Sequence, residues 1–229
     1  MTFTVSPLED ADHEPSLHVA HIALRSSGGI ILHMNPNEQM SAKELSTSLA
    51  TRREVVATNP QSYFLKVVDS SLGGKIIGIA NWDIYSDPLT DRQFEHVCAM
   101  EEAPDEALKE AWDEVFTYIS RSRRRWLADR APRACLFLLA VLPEYHRKGV
   151  GTMLMQWGVD MADELGLEGY LEATMMGKPL YEKFGFQVVD KVRYDMKKYG
   201  KEGWDETVVM LRPKKGQERK VDVKDNRFV

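Results

Sequence analysis

The residues best placed to do chemistry are His146, Arg147, Lys148, Gly149, Val150, Gly151 and Thr152, which follow an apolar run and precede a helical pattern. Backbone N–H groups at a helix start point outward unpaired, and the helix dipole leaves partial positive charge there. Gly149 and Gly151 straddle Val150, and glycine lets an anion approach the backbone closely. Arg147 and Lys148 add full charge. A diphosphate is the natural guest, since each charge-assisted hydrogen bond is worth roughly 1.5–3 kcal/mol. A glycine-eased helix entry with no ligand fits the same letters equally well. The turn is not a P-loop, because GxxxxGK[ST] is absent, and the dinucleotide pattern GxGxxG fails at Leu154.

These residues need a strand before them and a helix after them. Residues 134–141 are nearly all apolar, which predicts a strand covered on both faces at the centre of a sheet. Residues 150–165 put Met153, Leu154, Trp157, Met161 and Leu165 on one helical face, and Gly166 is placed to stop the helix. A strand over 169–174 follows, making a βαβ step whose two strands should be parallel. A short helix over 179–184, ended by Gly185, precedes strands at 186–195 and 207–212.

Upstream, 3–6 reads as a short strand, 15–25 as a helix, 34–37 as a loop and 41–57 as a helix with Leu45, Leu49 and Val56 towards the core. Residues 62–69 and 75–85 form a hairpin around Gly73-Gly74. Residues 91–132 are charged and helical, with an apolar stripe through Leu108, Ala111, Trp112, Val115, Phe116 and Ile119. The acidic start and the arginine run at 121–125 complement the helix dipole, and the run reads as a solvated helix end or a contact for phosphate or an acidic partner. The expectation is an α+β fold around a twisted, mostly antiparallel sheet. One domain would span 1–212, with 91–132 as a helical insertion before the central strand and 213–229 as a polar tail.

A net charge of -5 argues against a nucleic-acid footprint over the whole chain and is compatible with a cationic substrate. Two cysteines, Cys98 and Cys135, make neither a disulfide framework nor a zinc site, and no metal is expected. No apolar run approaches the length of a membrane span, and the first residues lack the pattern of a secretory signal. A soluble, intracellular, cytoplasmic protein with no membrane partner is the expectation.

The stretch LAVLPEYHRKGVGTMLM resembles the central motif of the GCN5-related N-acetyltransferase (GNAT) superfamily, a strand ending in V-x-P followed by Q/R-x-x-G-x-G/A. His146 stands where Gln or Arg is usual, while Gly149 and Gly151 match. A second motif follows at the right distance, YLEAT and then PLYEKFGF. The LEA-x(3)-G-x-PLY spacing resembles a fungal-type branch. The Asn that opens the last short helix in many relatives is missing, so 175–178 does not carry over in detail.

The resemblance implies a GNAT-like sheet whose central parallel strand pair splays, usually at a bulge, with helices on both faces. It implies an acetyl-CoA-dependent N-acetyltransferase acting by direct attack in a ternary complex on a small-molecule or peptide amine. Leu139 and Val141 would offer backbone groups to pantetheine, with the Val141 N–H polarising the thioester carbonyl. Residues 146–152 would hold the pyrophosphate. Tyr181 matches the general-acid position, and a neutral phenol of pKa about 10 can protonate a leaving thiolate. No carboxylate or histidine lies on 136–141, so the base is open. Glu172 is first by position, on the face of Tyr170 and Thr174; Asp83 is second, Glu144 third, and water an alternative. Trp82 and Tyr85 would line an acceptor pocket or form a half-buried strand face. The insertion would wall the acceptor side or make a homodimer contact. A non-catalytic coenzyme A sensor, or an acyltransferase with another donor or a hydroxyl acceptor, is the competing expectation.

Overall fold

The computed structural model describes residues 2–34, 36–103, 106–218 and 224–225. Its elements are β1 (Phe3–Pro7), α1 (His13–Ser26), α2 (Gly29–Met34), α3 (Ala42–Thr58), β2 (Ser62–Asp69), β3 (Lys75–Tyr85), α4 (Asp91–Cys98), α5 (Lys109–Trp126), β4 (Arg133–Val141), α6 (Val150–Leu165), β5 (Glu168–Thr174), α7 (Lys178–Lys183), β6 (Gln187–Asp195), β7 (Trp204–Arg212) and the two-residue β8 (Lys224–Asp225). All strands join one sheet in the order β1-β2-β3-β4-β5-β7-β6-β8. Pairing is antiparallel except between β4 and β5, and between β6 and the short β8. This is the mixed, mostly antiparallel α+β sheet that the alternation of strand and helix patterns predicts, with β4 at its middle and helices on both faces.

Two buried clusters hold it together. One gathers α6 and part of α1 around β2–β5, and includes Trp82, Leu154, Leu171, Tyr181 and Phe186. The other gathers α2, α4 and α5 around Tyr85, Cys135, Tyr170, Tyr194 and Val209. Helix α6 seats closely because Gly158 lies flat against the Trp82 indole, whose Nε1–H donates to Leu154 O at 3.2 Å.

Three local expectations change. Helix α2 forms directly after the break at 26–29; its first turn is held from outside by Asp205, whose Oδ2 accepts from Ile30 N at 2.9 Å. A six-residue helix carries little local signal. Helix α3 begins at a capping box formed by Ser41 and Glu44. It packs on α1, yet Val56 is 47% exposed. Its one buried residue is Arg52, which donates to Ser16 Oγ at 2.6 Å and lies over the Phe64 ring, with burial lowering its pKa to about 10. Finally, Lys224–Asp225, expected in a tail, pairs with Asp190–Lys191 of β6.

Candidate active site

The parallel partners β4 and β5 stay in register only from Arg133↔Glu168 to Leu136↔Leu171. Beyond that point each strand keeps its outer neighbour: β3 pairs with β4 as far as Gly78↔Val141, and β7 pairs with β5 as far as Thr174↔Thr207. The separation starts at a bulge. Asn81 faces Leu138 and Trp82 faces Leu136, so Phe137 is an extra residue on β4. Phe137, Leu138 and Leu139 are only half-buried although they sit in the central strand. Leu142 N donates to Ile77 O of β3 at 3.0 Å. By strand alternation, the backbone groups of Leu139 and Val141 therefore point the other way, into the gap.

The turn after β4 is built to present donors. Tyr145 is buried and anchors it, with its hydroxyl 3.3 Å from Asp69 Oδ2 at the end of β2. Arg147 takes φ +62°, and Gly149 takes φ +89° at the helix N-cap. Among the described residues no side chain caps α6, so its first N–H groups face outward free of competition. Gly149 has open space where a Cβ would stand. At Gly151 a Cβ would meet Leu180 Cδ2 of α7 at 3.0 Å, with Leu139 and Val141 just beyond, so the turn, the gap and α7 converge here. Lys148 Nζ lies over the Tyr145 ring, and Glu144 pairs with Lys75 at 3.3 Å. His146 is exposed, yet its ring folds back: Nε2 lies 2.9 Å from Val141 O and holds that carbonyl, leaving the Val141 N–H.

Tyr181 stands on one face of the gap. Gly169, Leu171 and Ala173 turn to this face. A Cβ on Gly169 would strike the Phe186 ring, and Phe186 meets Tyr181 edge-on at 6.5 Å. The Tyr181 hydroxyl lies beside Gly177 and makes no hydrogen bond among the described residues. Burial pushes its phenol well above the usual value of 10.0.

The carboxylates stand on the opposite face, with Tyr170. Glu172 accepts from Arg123 Nε at 2.8 Å and from Tyr170 OH at 2.8 Å on Oε1, and from Arg123 Nη2 at 3.2 Å on Oε2. Its side chain is 7% exposed. Asp83 is 3% exposed and sits on β3, one strand from the gap, opposite Cys135. Oδ2 accepts from Asn59 Nδ2 at 2.8 Å and Tyr85 OH at 2.7 Å, while Ser62 Oγ and Asn81 Nδ2 bond Oδ1. The geometry thus sets Tyr181, the open backbone of Leu139 and Val141, and Glu172 around one gap. It leaves Asp83 inside a closed hydrogen-bond cluster and Glu144 on the outer rim. Trp82, fully buried under Gly158, and Tyr85, bonded to Asp83, are core residues rather than pocket walls.

Arg123 is the side chain the sequence reading passed over. Most of the arginine run is the solvated helix end, since Arg121, Arg124 and Arg125 are exposed, and only Arg123 is buried. Arg124 pairs with Glu95, Arg125 with Asp190, and Arg123 turns inward on Glu172. The signal was present in the spacing, since 111, 115, 119 and 123 continue one helical stripe.

Residues 36–186 match the acetyltransferase (GNAT) family. Among solved structures, the fold resembles arylalkylamine N-acetyltransferase 2 from Aedes aegypti, with a TM-score of 0.65 at 12% identity over 93% of this chain and 99% of that one. It also resembles the PaiA N-acetyltransferase of Thermoplasma acidophilum, solved in complex with coenzyme A, with a TM-score of 0.50 at 16% identity over 93% and 99%. At such identities the likeness is one of fold. A curated relative, described as a probable acyltransferase of Ajellomyces capsulatus, is 39% identical over 41 residues. That match spans 18% of this chain and 30% of the relative. No helix among the described residues is long and apolar enough to cross a membrane.

Proposed function

Since the chain belongs to the acetyltransferase (GNAT) family, we propose that it transfers an acetyl group from acetyl-CoA to an amine by direct attack in a ternary complex. The observation that carries this is the gap between β4 and β5, which opens at Leu136/Leu171 directly before the uncapped start of α6. Unpaired strand backbone seats an extended amide-bearing chain, as in strand addition to a sheet edge. In this reading the pantetheine arm lies along Leu139 and Val141. Its diphosphate rests on the N–H groups and charges of residues 146–152. The coenzyme A bound to the Thermoplasma relative supports that choice of donor.

Roles follow from the two faces. The Val141 N–H points into the gap and donates to the thioester oxygen, most strongly as that oxygen becomes an oxyanion. Tyr181, on the α7 side, gives its proton to the departing sulfur. The amine enters from the opposite face, walled by the 91–132 insertion, and its proton passes through water to Glu172 Oε2, which accepts a single hydrogen bond among the described residues. Asp83, saturated by its neighbours, holds the β2–β3 corner. We place the chain with the fungal-type branch, on the LEA-x(3)-G-x-PLY spacing and the 41-residue likeness to the Ajellomyces protein. We place its action in the cytoplasm, where its two free, buried cysteines would persist.

The engaged oxygens of Glu172 and Asp83 favour a second reading, a coenzyme A-binding sensor without turnover. One assay separates the two. The full chain is incubated with acetyl-CoA and a panel of polyamines, amino acids, arylamines, peptides and alcohols, and thiol release is followed. Release with an amine is the expected result; coenzyme A binding with no release on any acceptor would make it a sensor.

His146 offers a smaller test. Its ring holds Val141 O rather than the diphosphate, so His146→Ala should weaken coenzyme A binding by no more than about fivefold, the worth of one ordinary hydrogen bond. Titration calorimetry reads this, and a complete loss of binding would contradict donation by the backbone.

A further inference from the structure

Where β4 and β5 part, one side chain from the insertion still joins them. Arg123 of α5 is buried, 8% exposed, and touches both strands at once. Its guanidinium lies 4.6 Å from the centroid of the Phe137 ring, the bulge residue of β4. Its Nε and Nη2 fork the Glu172 carboxylate of β5 at 2.8 and 3.2 Å. Phe137 and Glu172 are the next positions after the last paired residues, Leu136 and Leu171, so they would face each other had the ladder continued. The remaining nitrogen, Nη1, donates to Val97 O at the end of α4, 3.1 Å away. Burial opposes the charge on Arg123, and Glu172 more than offsets it, so the group stays a cation.

We propose that Arg123 is a positioning residue that sets the width of the slot between β4 and β5. The proposal rests on the reading of that slot as the seat of the pantetheine arm. A stacked ring on one strand and a forked carboxylate on the other fix the distance between them, since the planar guanidinium has one geometry for each contact. Lysine has neither the plane nor the fork. The insertion therefore does more than wall the acceptor side: through Arg123 it ties α4 and α5 to the cofactor slot, and ordering of one is felt by the other.

The test compares two ligands on the full chain. Coenzyme A reaches the α6 turn and also runs between the strands. Adenosine 3′,5′-bisphosphate reaches the turn alone. Removing Arg123 by itself would leave the Glu172 charge buried and unpaired, which endangers folding. The principal variant is therefore Arg123→Met combined with Glu172→Gln, with Arg123→Lys as the second. Each is checked by circular dichroism and titrated by calorimetry. The double variant should bind coenzyme A about tenfold more weakly, the scale of one stacked and one forked contact, and bind the bisphosphate as the parent does. Arg123→Lys should fall between them. If the double variant does not fold, Arg123→Lys carries the comparison alone, with selective weakening of coenzyme A expected. Unchanged coenzyme A affinity, or equal weakening of both ligands, would overturn the proposal. A parent protein that binds neither ligand would overturn the slot reading itself, and this proposal with it.

Discussion

Tyr181→Phe is expected to lower kcat roughly 100-fold while leaving the KM for acetyl-CoA within about twofold, the pattern of an interaction made only in the transition state. The substitution removes one oxygen. That oxygen makes no hydrogen bond among the described residues, so no structural partner is orphaned. The ring keeps its edge contact with Phe186, and the melting temperature should hardly move. A purely structural tyrosine would give the same thermal result but full turnover, so kcat decides. The pH dependence adds a sign. Burial raises the phenol above 10.0, and a raised acid keeps its proton until the pH climbs past the raised value. The parent enzyme should therefore show no alkaline loss of kcat that traces to this group below about pH 10. A decline near pH 8 that Tyr181→Phe abolishes, or a Phe variant with unchanged turnover, would end the assignment.

Gly158→Ala is expected to lower the melting temperature by about 10 °C, equivalent to roughly 3 kcal/mol for a chain of this size. On an open helix the same change would stabilise by about 1 kcal/mol through helix propensity. Here the added Cβ would lie 2.1 Å from one carbon of the Trp82 indole and 2.4 Å from two more. The indole cannot turn away without losing its hydrogen bond to Leu154 O, and it is enclosed on every side. Steric cost outweighs propensity, so α6 must lift from β3. The N-terminus of α6 carries the glycine turn, so coenzyme A binding should weaken along with stability. Gln156→Ala, at an exposed position of the same helix, serves as the control and should stay within about 0.5 kcal/mol. Differential scanning fluorimetry measures both, and a Gly158→Ala protein as stable as its parent would show that α6 does not sit this close.

The outcome at Val56 shows why helix faces were harder to read than strands. A strand has only two faces, so the unbroken apolar run at 134–141 and the alternation around Tyr170 and Glu172 left little choice. In α3 the spacing of Leu45, Leu49 and Val56 marked a weak stripe, and packing on α1 placed Arg52 inward with Ser16 and Phe64 while Val56 stayed in solvent. Helix α2 was invisible for a related reason: its first turn is held by Asp205, a residue 175 positions away.

Spacing by itself determined the strand, the glycine turn, the helix after it and the tyrosine motif downstream, because each depends on neighbours within one or two turns of chain. It also determined that 136–141 bring no carboxylate or histidine of their own. Only the tertiary structure decided where the strands part, at the Phe137 bulge, because that depends on two registers, one with β3 and one with β5. Only it put Tyr181 and Glu172 on opposite faces of one gap and closed Asp83 into a cluster with Asn59, Ser62 and Tyr85. And only it turned Arg123 from one letter in a basic run into the link across the gap. A buried cation needs an anion and a ring from other strands, and no local pattern records which strands those will be.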